Sequence, residues 1–209
     1  MKEIVKEVST YCKEILTGER CSSLPFHNLT HTEEVVDGVK KICKNEGIVG
    51  NDREILIISA WFHDTGLVQK YAGHEEVSIS LVKDFLQTRD YPEGNIEQIV
   101  KCIGATKLPQ NPTTQLAEVL CDADLFHVST PNFFYRKLLL RKEWETELGT
   151  TFTDLEWHHV NHDFLRNHQY FTEYGKKVLA KGQDKNILKV ENLIKMCSPD
   201  TPSDGEGQV

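Results

Sequence analysis

The sequence of 209 residues lacks any apolar run approaching the roughly 20 residues that a membrane-spanning helix requires. Its first residues, MKEIVKEVSTYCKEIL, carry charges throughout, so we do not expect them to act as a signal peptide. Both absences favour a cytoplasmic protein that does not associate with membranes.

A cluster of lysine and arginine is also absent, and the formal net charge is -8. Domains that bind DNA or RNA usually present a basic patch, so the sequence shows no nucleic-acid footprint. An acidic protein still binds phosphate groups when metal cations supply the positive charge locally. The six cysteines have no C-x-x-C spacing and no regular interval, which predicts reduced, buried thiols rather than disulfides.

The sequence has no strand-like alternation, and helical periodicity recurs along most of it. Residues 30–46 predict an amphipathic helix with Thr30 as its N-cap, three residues before a glutamate. Residues 53–66, REILIISAWFHDTG, are apolar almost all round and predict a central buried helix that stops at Gly66. The remaining predicted helices cover residues 3–16, 74–88, 94–105, 114–128, 132–147, 154–166 and 170–196, the last with a break near Gly182. We therefore predict one all-α domain, a compact helical bundle over residues 1–197, and a disordered polar tail over residues 198–209.

Two short segments carry side chains suited to chemistry. FHNLTH places His27 and His31 four residues apart, and WFHDTG places His63 and Asp64 at the end of the buried helix. A buried carboxylate is costly unless it is paired with a charge or bound to a metal. Hydrogen-bonded core residues are the alternative interpretation, and the two segments alone leave it open.

A second pair of carboxylates, Asp122 and Asp124, lies in the apolar segment LAEVLCDADLFHVS. Residues two apart on a helix point about 200° apart, so only one of the two faces a given centre. A local ion pair is the alternative. The set His31, His63, Asp64 and Asp124 combines imidazole and carboxylate groups without thiolates, which suits hydrolytic divalent metals.

The order of a histidine, a His-Asp pair and a later aspartate resembles the HD-domain superfamily of metal-dependent phosphohydrolases. The resemblance implies an HD-domain-like helical bundle and one or two divalent ions, for which Mg²⁺, Mn²⁺, Zn²⁺ and Fe²⁺ are all candidates. It implies a metal site formed by His31, His63, Asp64 and Asp124. ADLFH is similar to the family's final-aspartate motif, which favours Asp124 over Asp122 as the ligand.

FHNLTHTEEV is similar to the H-N-x-x-H signature of the cyclic nucleotide phosphodiesterases, a branch of the same superfamily, and CDADL is similar to their C-A-D-L segment. This resemblance implies that His27 donates a proton to the leaving oxygen and that His31 binds metal. It makes Asn28, within the signature, a candidate substrate-binding residue. Leu67 stands where that branch has a second histidine, four residues after His63, and the purine-binding glutamine has no identifiable counterpart.

Two further candidates have alternative interpretations. His74 is expected either to act in catalysis, at a second metal or at the attacking water with Glu75 behind it, or to begin a helix as a solvated residue. Lys107 is expected either to bind a substrate phosphate or to interact with the dipole of the helix that it follows. The pair His158 and His162 has zinc-chelating spacing but no evident third ligand, so packing is favoured there.

The sequence therefore predicts a metal-dependent phosphohydrolase that cleaves a phosphomonoester or phosphodiester bond of a small molecule, with nucleotides and cyclic nucleotides as the favoured class. A non-catalytic sensor module that binds metal and nucleotide, and an HD-type di-iron oxygenase, are the alternatives. The natural substrate, the metal and the oligomeric state stay open, with a homodimer among the alternatives.

Overall fold

The structure, a computed structural model, describes residues 3–198. Helices account for the regular secondary structure of these residues, and no strand occurs among them. The all-α prediction is confirmed. The predicted tail lies outside the described residues from position 199 onward. The helices are α1 (Glu3–Leu16), α2 (Glu19–Ser22), α3 (Leu29–Glu46), α4 (Gly50–Phe62), α5 (His74–Gln87), α6 (Glu93–Ala105), α7 (Gln115–Asp124), α8 (Phe133–Glu147), α9 (Asp154–Asn167) and α10 (Ala180–Cys197).

Helix α4 forms the centre of the main core. Every residue from Glu54 to Phe62 is buried, as the apolar run predicted. Helices α1, α3, α6 and α7 pack around it, which explains why α4 has no polar face. A smaller second core joins α8, α9 and α10 through Phe133, Leu165, Ile187 and Val190.

The end of α4 differs from the prediction. The helix ends at Phe62 rather than Gly66, and a short 3₁₀ turn covers Thr65–Val68. Gly66 does not cap the helix; its backbone N–H donates to Ser78 Oγ at 2.8 Å. A Cβ atom at Gly66 would overlap the backbone of His74. The glycine therefore allows the start of α5 to pack directly on the turn that follows α4.

Two other predicted boundaries also change. The N-cap of α3 is Asn28 rather than Thr30: its Oδ1 accepts from the N–H groups of Thr30 at 3.0 Å and His31 at 3.4 Å. The helix predicted over 114–128 ends at Asp124 and continues as a 3₁₀ turn.

The predicted break near Gly182 is wrong, because α10 runs continuously through it. A π-helical turn at Gly175–Leu179 precedes α10 instead. A Cβ at position 182 would overlap the carbonyl oxygen of Ser129, so this glycine permits close packing inside a helix.

The cysteines are free thiols, and five of the six are buried, in line with the prediction; Cys197 is exposed. Over residues 3–198, no helix combines the length and the apolar character that crossing a membrane requires.

Candidate metal centre

His63 and Asp64 directly follow α4, at one side of the main core. The Nδ1 of His63 is 2.8 Å from the carbonyl oxygen of Ala60. A hydrogen bond at Nδ1 fixes the ring and leaves Nε2 to face other groups, as such bonds do for histidine ligands of metals. Nε2 lies 3.2 Å from Asp64 Oδ2.

Helices α3 and α7 bring two more side chains to the same point. His31 Nε2 lies 3.2 Å from Asp124 Oδ1 and 3.5 Å from Asp64 Oδ2. His63 Nε2 lies 3.7 Å from Asp124 Oδ1. Each of His31, His63 and Asp124 offers one ligand atom, and these atoms all lie within 4.8 Å of one another. The four residues expected to hold metal thus converge from three parts of the chain.

Two atoms that face this point, His63 Nε2 and Asp64 Oδ2, are buried and have no aligned hydrogen-bond partner. Buried polar atoms without partners are rare because each costs about 1–3 kcal/mol. They sit at ion-pair distance from each other and from the other donors, which is the arrangement expected of ligands aimed at a shared cation. The nitrogen and oxygen donors fit a divalent ion such as Zn²⁺, Mn²⁺, Fe²⁺ or Mg²⁺.

The charges at the centre are strongly coupled. Burial alone would raise the pKa of Asp64, but His63 and His74 outweigh it and hold this pKa well below its usual range. Burial alone would lower the pKa of His63, but Asp64 and Asp124 raise it to about 9. Burial dominates at His31 and lowers its pKa. Asp64 is therefore ionised and His31 neutral, the states in which each can bind metal.

His74, the first residue of α5, reaches the same centre. Its Nδ1 is 2.8 Å from the carbonyl oxygen of Tyr71, and its Nε2 is 3.2 Å from Asp64 Oδ1. Burial opposes its protonation, but Asp64 raises the pKa of His74 to about 9. Leu67 is fully buried in the main core and takes no part. His74 thus faces Oδ1 of Asp64, whereas His31 and His63 face Oδ2.

His27 lies beside the four residues rather than among them. Its ring centroid is 5.6 Å from that of His31 and 6.3 Å from that of His74. The Nδ1 of His27 contacts Oε1 of Glu143, a residue of α8. About a fifth of the His27 side chain, 21%, is exposed, so its ring can be reached from solvent.

The two candidate substrate-binding residues have other partners. The side chain of Asn28 caps α3 and also donates to the carbonyl oxygens of Leu24 and Pro25, each at 3.0 Å. Lys107 follows α6, and its Nζ lies 2.6 Å from Glu76 Oε1; both side chains are more than half exposed. The structure therefore gives Asn28 a structural role and places Lys107 in a surface ion pair.

Asp122 points away from the centre, in line with the choice of Asp124. Its carboxylate accepts from the backbone N–H groups of Phe171 and Thr172, each at 2.9 Å. His158 and His162 contact different residues: Lys137 Nζ at 3.0 Å from His158, and Glu191 Oε1 at 3.3 Å from His162. These two histidines do not form a common site.

Several residues around the centre were not predicted from the sequence. Gln110 donates from Nε2 to Asp124 Oδ2 at 3.3 Å. His127 packs its ring against His31 and Phe26, and Tyr71 and Glu143 contact each other at 2.8 Å. Of these residues, only His127 could have been suspected from the sequence, because it ends the motif ADLFH in the apolar segment around Asp124. Tyr71 and Gln110 lie in loops without a periodic pattern, and Glu143 lies among charged residues of the helix predicted over 132–147.

A cavity of about 380 Å³ adjoins the centre. His31 and Asp124 lie at the end that it shares with the candidate metal site, and Gly38 and Lys41 line it further along α3. Phe126 also lines the cavity, and the Nζ of Lys41 lies 5.1 Å from its ring centroid.

Comparisons with known proteins agree with this geometry. The HD-domain family model matches residues 28–129. The fold is similar to that of a predicted HD superfamily hydrolase from an uncultured Thermotogales bacterium, with a TM-score of 0.62, 16% identity and coverage of 92% of each chain. A protein from Lactobacillus plantarum also has a similar fold, with a TM-score of 0.62, 14% identity and coverage of 94% of this chain and 96% of that one.

No curated protein sequence matches the chain. Because their sequence identities are only 16% and 14%, the two solved structures show that the fold is shared and nothing more. The family match is more specific, because it spans the segment that brings His31, His63, Asp64 and Asp124 together. Residues 28–129, just under half of the chain, are therefore identified as an HD domain.

Proposed function

We propose that the protein is a metal-dependent phosphohydrolase that cleaves a phosphomonoester or phosphodiester of a small molecule, with nucleotides and cyclic nucleotides as the favoured class. One observation carries this proposal. Two histidines and two aspartates from three parts of the chain converge on one point, and two of their buried atoms there lack hydrogen-bond partners. The match of residues 28–129 to the HD-domain family supports it.

His31, His63, Asp64 and Asp124 would hold the divalent ion. When bound, such an ion neutralises charge on the phosphate and lowers the pKa of a water molecule toward about 7. The positive charge matters here because the chain has a formal net charge of -8. His74 would act beside Oδ1 of Asp64. It would either bind a second ion or orient the attacking water.

His27 would act as the general acid. It lies next to His31 but outside the four residues, so its ring is not needed as a ligand. Its partial exposure allows contact with the leaving oxygen of a bound ester. Proton donation to that oxygen typically accelerates such a reaction by about 10²–10⁴-fold.

The cavity beside the centre supports a small-molecule substrate. Its volume of about 380 Å³ falls within the range of roughly 300–1,000 Å³ that is typical of ligand pockets. Lys41 and Phe126 offer a cation and an aromatic face at a distance from the proposed metal. Lys107 would bind a substrate phosphate only by exchanging its present partner, Glu76. Asn28 would bind substrate only by giving up hydrogen bonds that hold the start of α3.

Metal analysis combined with ester hydrolysis tests the proposal. Purified protein, reconstituted with each candidate metal, is assayed on p-nitrophenyl phosphate and bis-p-nitrophenyl phosphate. We expect Asp64→Ala to lose both bound metal and turnover, and His27→Ala to keep the metal and lose most of the rate. His159→Ala, at an exposed histidine outside the centre, is the matched control and should change neither.

Other outcomes would point elsewhere. Metal binding without hydrolysis would favour a sensor module or a di-iron oxygenase, and the iron content and absorption spectrum would separate those two. Loss of metal in His27→Ala would contradict the assigned division between acid and ligands. If no metal binds after reconstitution, the proposed function fails.

A further inference from the structure

Gln110 connects the loop between α6 and α7 to one of the expected metal ligands. Its Nε2 donates to Asp124 Oδ2 and to the carbonyl oxygen of Cys121, each at 3.3 Å. A carboxylate that binds metal is ionised, and an ionised carboxylate, like a backbone carbonyl, only accepts hydrogen bonds. The NH₂ group of Gln110 must therefore face Asp124. Turning the amide over would bring its oxygen against two other oxygens.

The two oxygens of Asp124 face different groups. Oδ1 lies 3.2 Å from Nε2 of His31 and 3.7 Å from Nε2 of His63, at the point where the expected ligands converge. Oδ2 is the oxygen that accepts from Gln110. The hydrogen bond from Gln110 thus fixes the rotation of the carboxylate, with Oδ1 toward the centre.

Asp64 shows the same division of its oxygens. Its Oδ2 faces the two histidines of the centre, and its Oδ1 lies 3.2 Å from Nε2 of His74. The outer partners of the two aspartates differ in charge, because an imidazole can carry a proton whereas the amide of Gln110 is neutral. A neutral donor orients Asp124 and leaves its negative charge available to a cation.

The other end of the Gln110 amide has no comparable contact. Its Oε1 is buried and has no hydrogen-bond partner within residues 3–198. A buried polar atom without a partner lowers the stability of the fold, and an apolar side chain of the same length would avoid that cost. Stability alone therefore does not account for a glutamine at this position, whereas the orientation of Asp124 does.

We propose that Gln110 is a positioning residue of the metal centre, which holds Asp124 Oδ2 so that Asp124 binds the ion through Oδ1 alone. This inference rests on the metal centre of the proposed function and adds a residue outside its four ligands. A carboxylate that binds through one oxygen takes up one position around an ion, and one that binds through two takes up two. Holding Oδ2 back leaves a position open for substrate or water, as hydrolytic metal sites require.

Gln110→Met tests the proposal by two measurements on the same protein. Methionine is similar in length to glutamine and has no N–H group to donate. We expect the affinity for Zn²⁺ and Mn²⁺, measured by calorimetry, to fall roughly 10–100-fold, the usual effect of removing a hydrogen-bond partner of a metal ligand. The melting temperature of the metal-free protein should stay the same or rise, because the buried amide oxygen is removed. A residue that only anchors its loop would give the reverse, a lower melting temperature with unchanged affinity.

Asn111→Ala is the matched control. Asn111 is the next residue of the same loop, and its side chain is exposed. Its substitution removes an amide from the loop without touching Asp124, so both the metal affinity and the melting temperature should stay close to those of the wild-type protein.

A crystal structure of the wild-type protein with Zn²⁺ or Mn²⁺ bound is a second readout, and it does not depend on how well a variant folds. We expect one oxygen of Asp124 on the ion and Nε2 of Gln110 on the other. Both oxygens of Asp124 on the ion, or unchanged metal affinity in Gln110→Met, would contradict the positioning role alone. A wild-type protein that binds no metal after reconstitution would contradict the proposed function as well.

Discussion

Asp64 Oδ1 lies 3.2 Å from Nε2 of His74, although the two are ten positions apart in the sequence. The approach depends on Gly66, where any side chain would overlap the backbone of His74. Because α5 starts directly against the turn after α4, its first residue faces the carboxylate. A histidine at this position can therefore act where Leu67, buried in the core, cannot.

Asp124→Asn should abolish metal binding, because Asp124 offers one of the converging ligand atoms and an amide is a much weaker ligand than a carboxylate. Asp122→Asn is the matched control, two residues away on the same helix. It should keep the metal while lowering the melting temperature, since Asp122 holds the backbone at Phe171 and Thr172. Metal content and thermal unfolding of both variants check this. Equal metal loss in both would contradict the assignment of Asp124.

Metal binding should release protons at neutral pH. The pKa of His63 in the metal-free protein is raised to about 9, so the imidazole is protonated at pH 7 and must lose its proton to bind metal. Because the folded pKa is raised, the proton competes with the metal below about pH 9, and the apparent affinity should rise with pH up to that value. Calorimetry in buffers with different ionisation enthalpies measures the protons released. Affinity that stays constant between pH 7 and 9 would contradict this expectation.

Asn28→Ala should destabilise the protein by about 1 kcal/mol or more, because the substitution removes the N-cap of α3. The lost bonds to Leu24 and Pro25 add to this cost. Asn45→Ala, at an exposed position near the other end of α3, is the control and should be close to neutral. Chemical denaturation measures both. A raised KM with unchanged stability would instead favour the substrate-binding role expected from the sequence.

Gly182→Ala should destabilise the protein by about 1–3 kcal/mol, the usual cost of overpacking. The new methyl group would overlap the carbonyl oxygen of Ser129, a backbone atom that cannot move aside without shifting the 3₁₀ turn before α8. Gly94→Ala is the matched control, because its Cβ would meet no atom within 4 Å, and alanine favours a helix over glycine by up to about 1 kcal/mol. The melting temperature should therefore fall for Gly182→Ala and rise for Gly94→Ala.

The sequence predicted most of the fold because hydrophobic periodicity is a local signal. The bounds of α1 match the prediction. Five other helices each differ from it by one residue at one end: α3, α5, α6, α8 and α9. Larger errors occur in α7, which ends at Asp124 rather than residue 128, and in α10, which begins at Ala180 rather than residue 170. Two more lie at Gly66, predicted as a helix end, and at Gly182, predicted as a helix break. Both glycines instead allow close approach of another backbone, and a contact between distant segments leaves no local pattern.

The candidate site divides in the same way. By itself, the sequence determined the helical class, and it predicted the ordered set His31, His63, Asp64 and Asp124. These residues stand out as polar side chains within or beside apolar runs, and the resemblance to the HD-domain superfamily favoured Asp124 over Asp122. It left the roles of His74 and Lys107 open and gave no sign of Glu143. Tertiary packing decided those points: it turned His74 toward Asp64, paired Lys107 with Glu76, and buried Glu143 against His27. A carboxylate among other charged residues of a helix is expected to face solvent. Only the folded chain shows that another segment covers Glu143 and which segment that is.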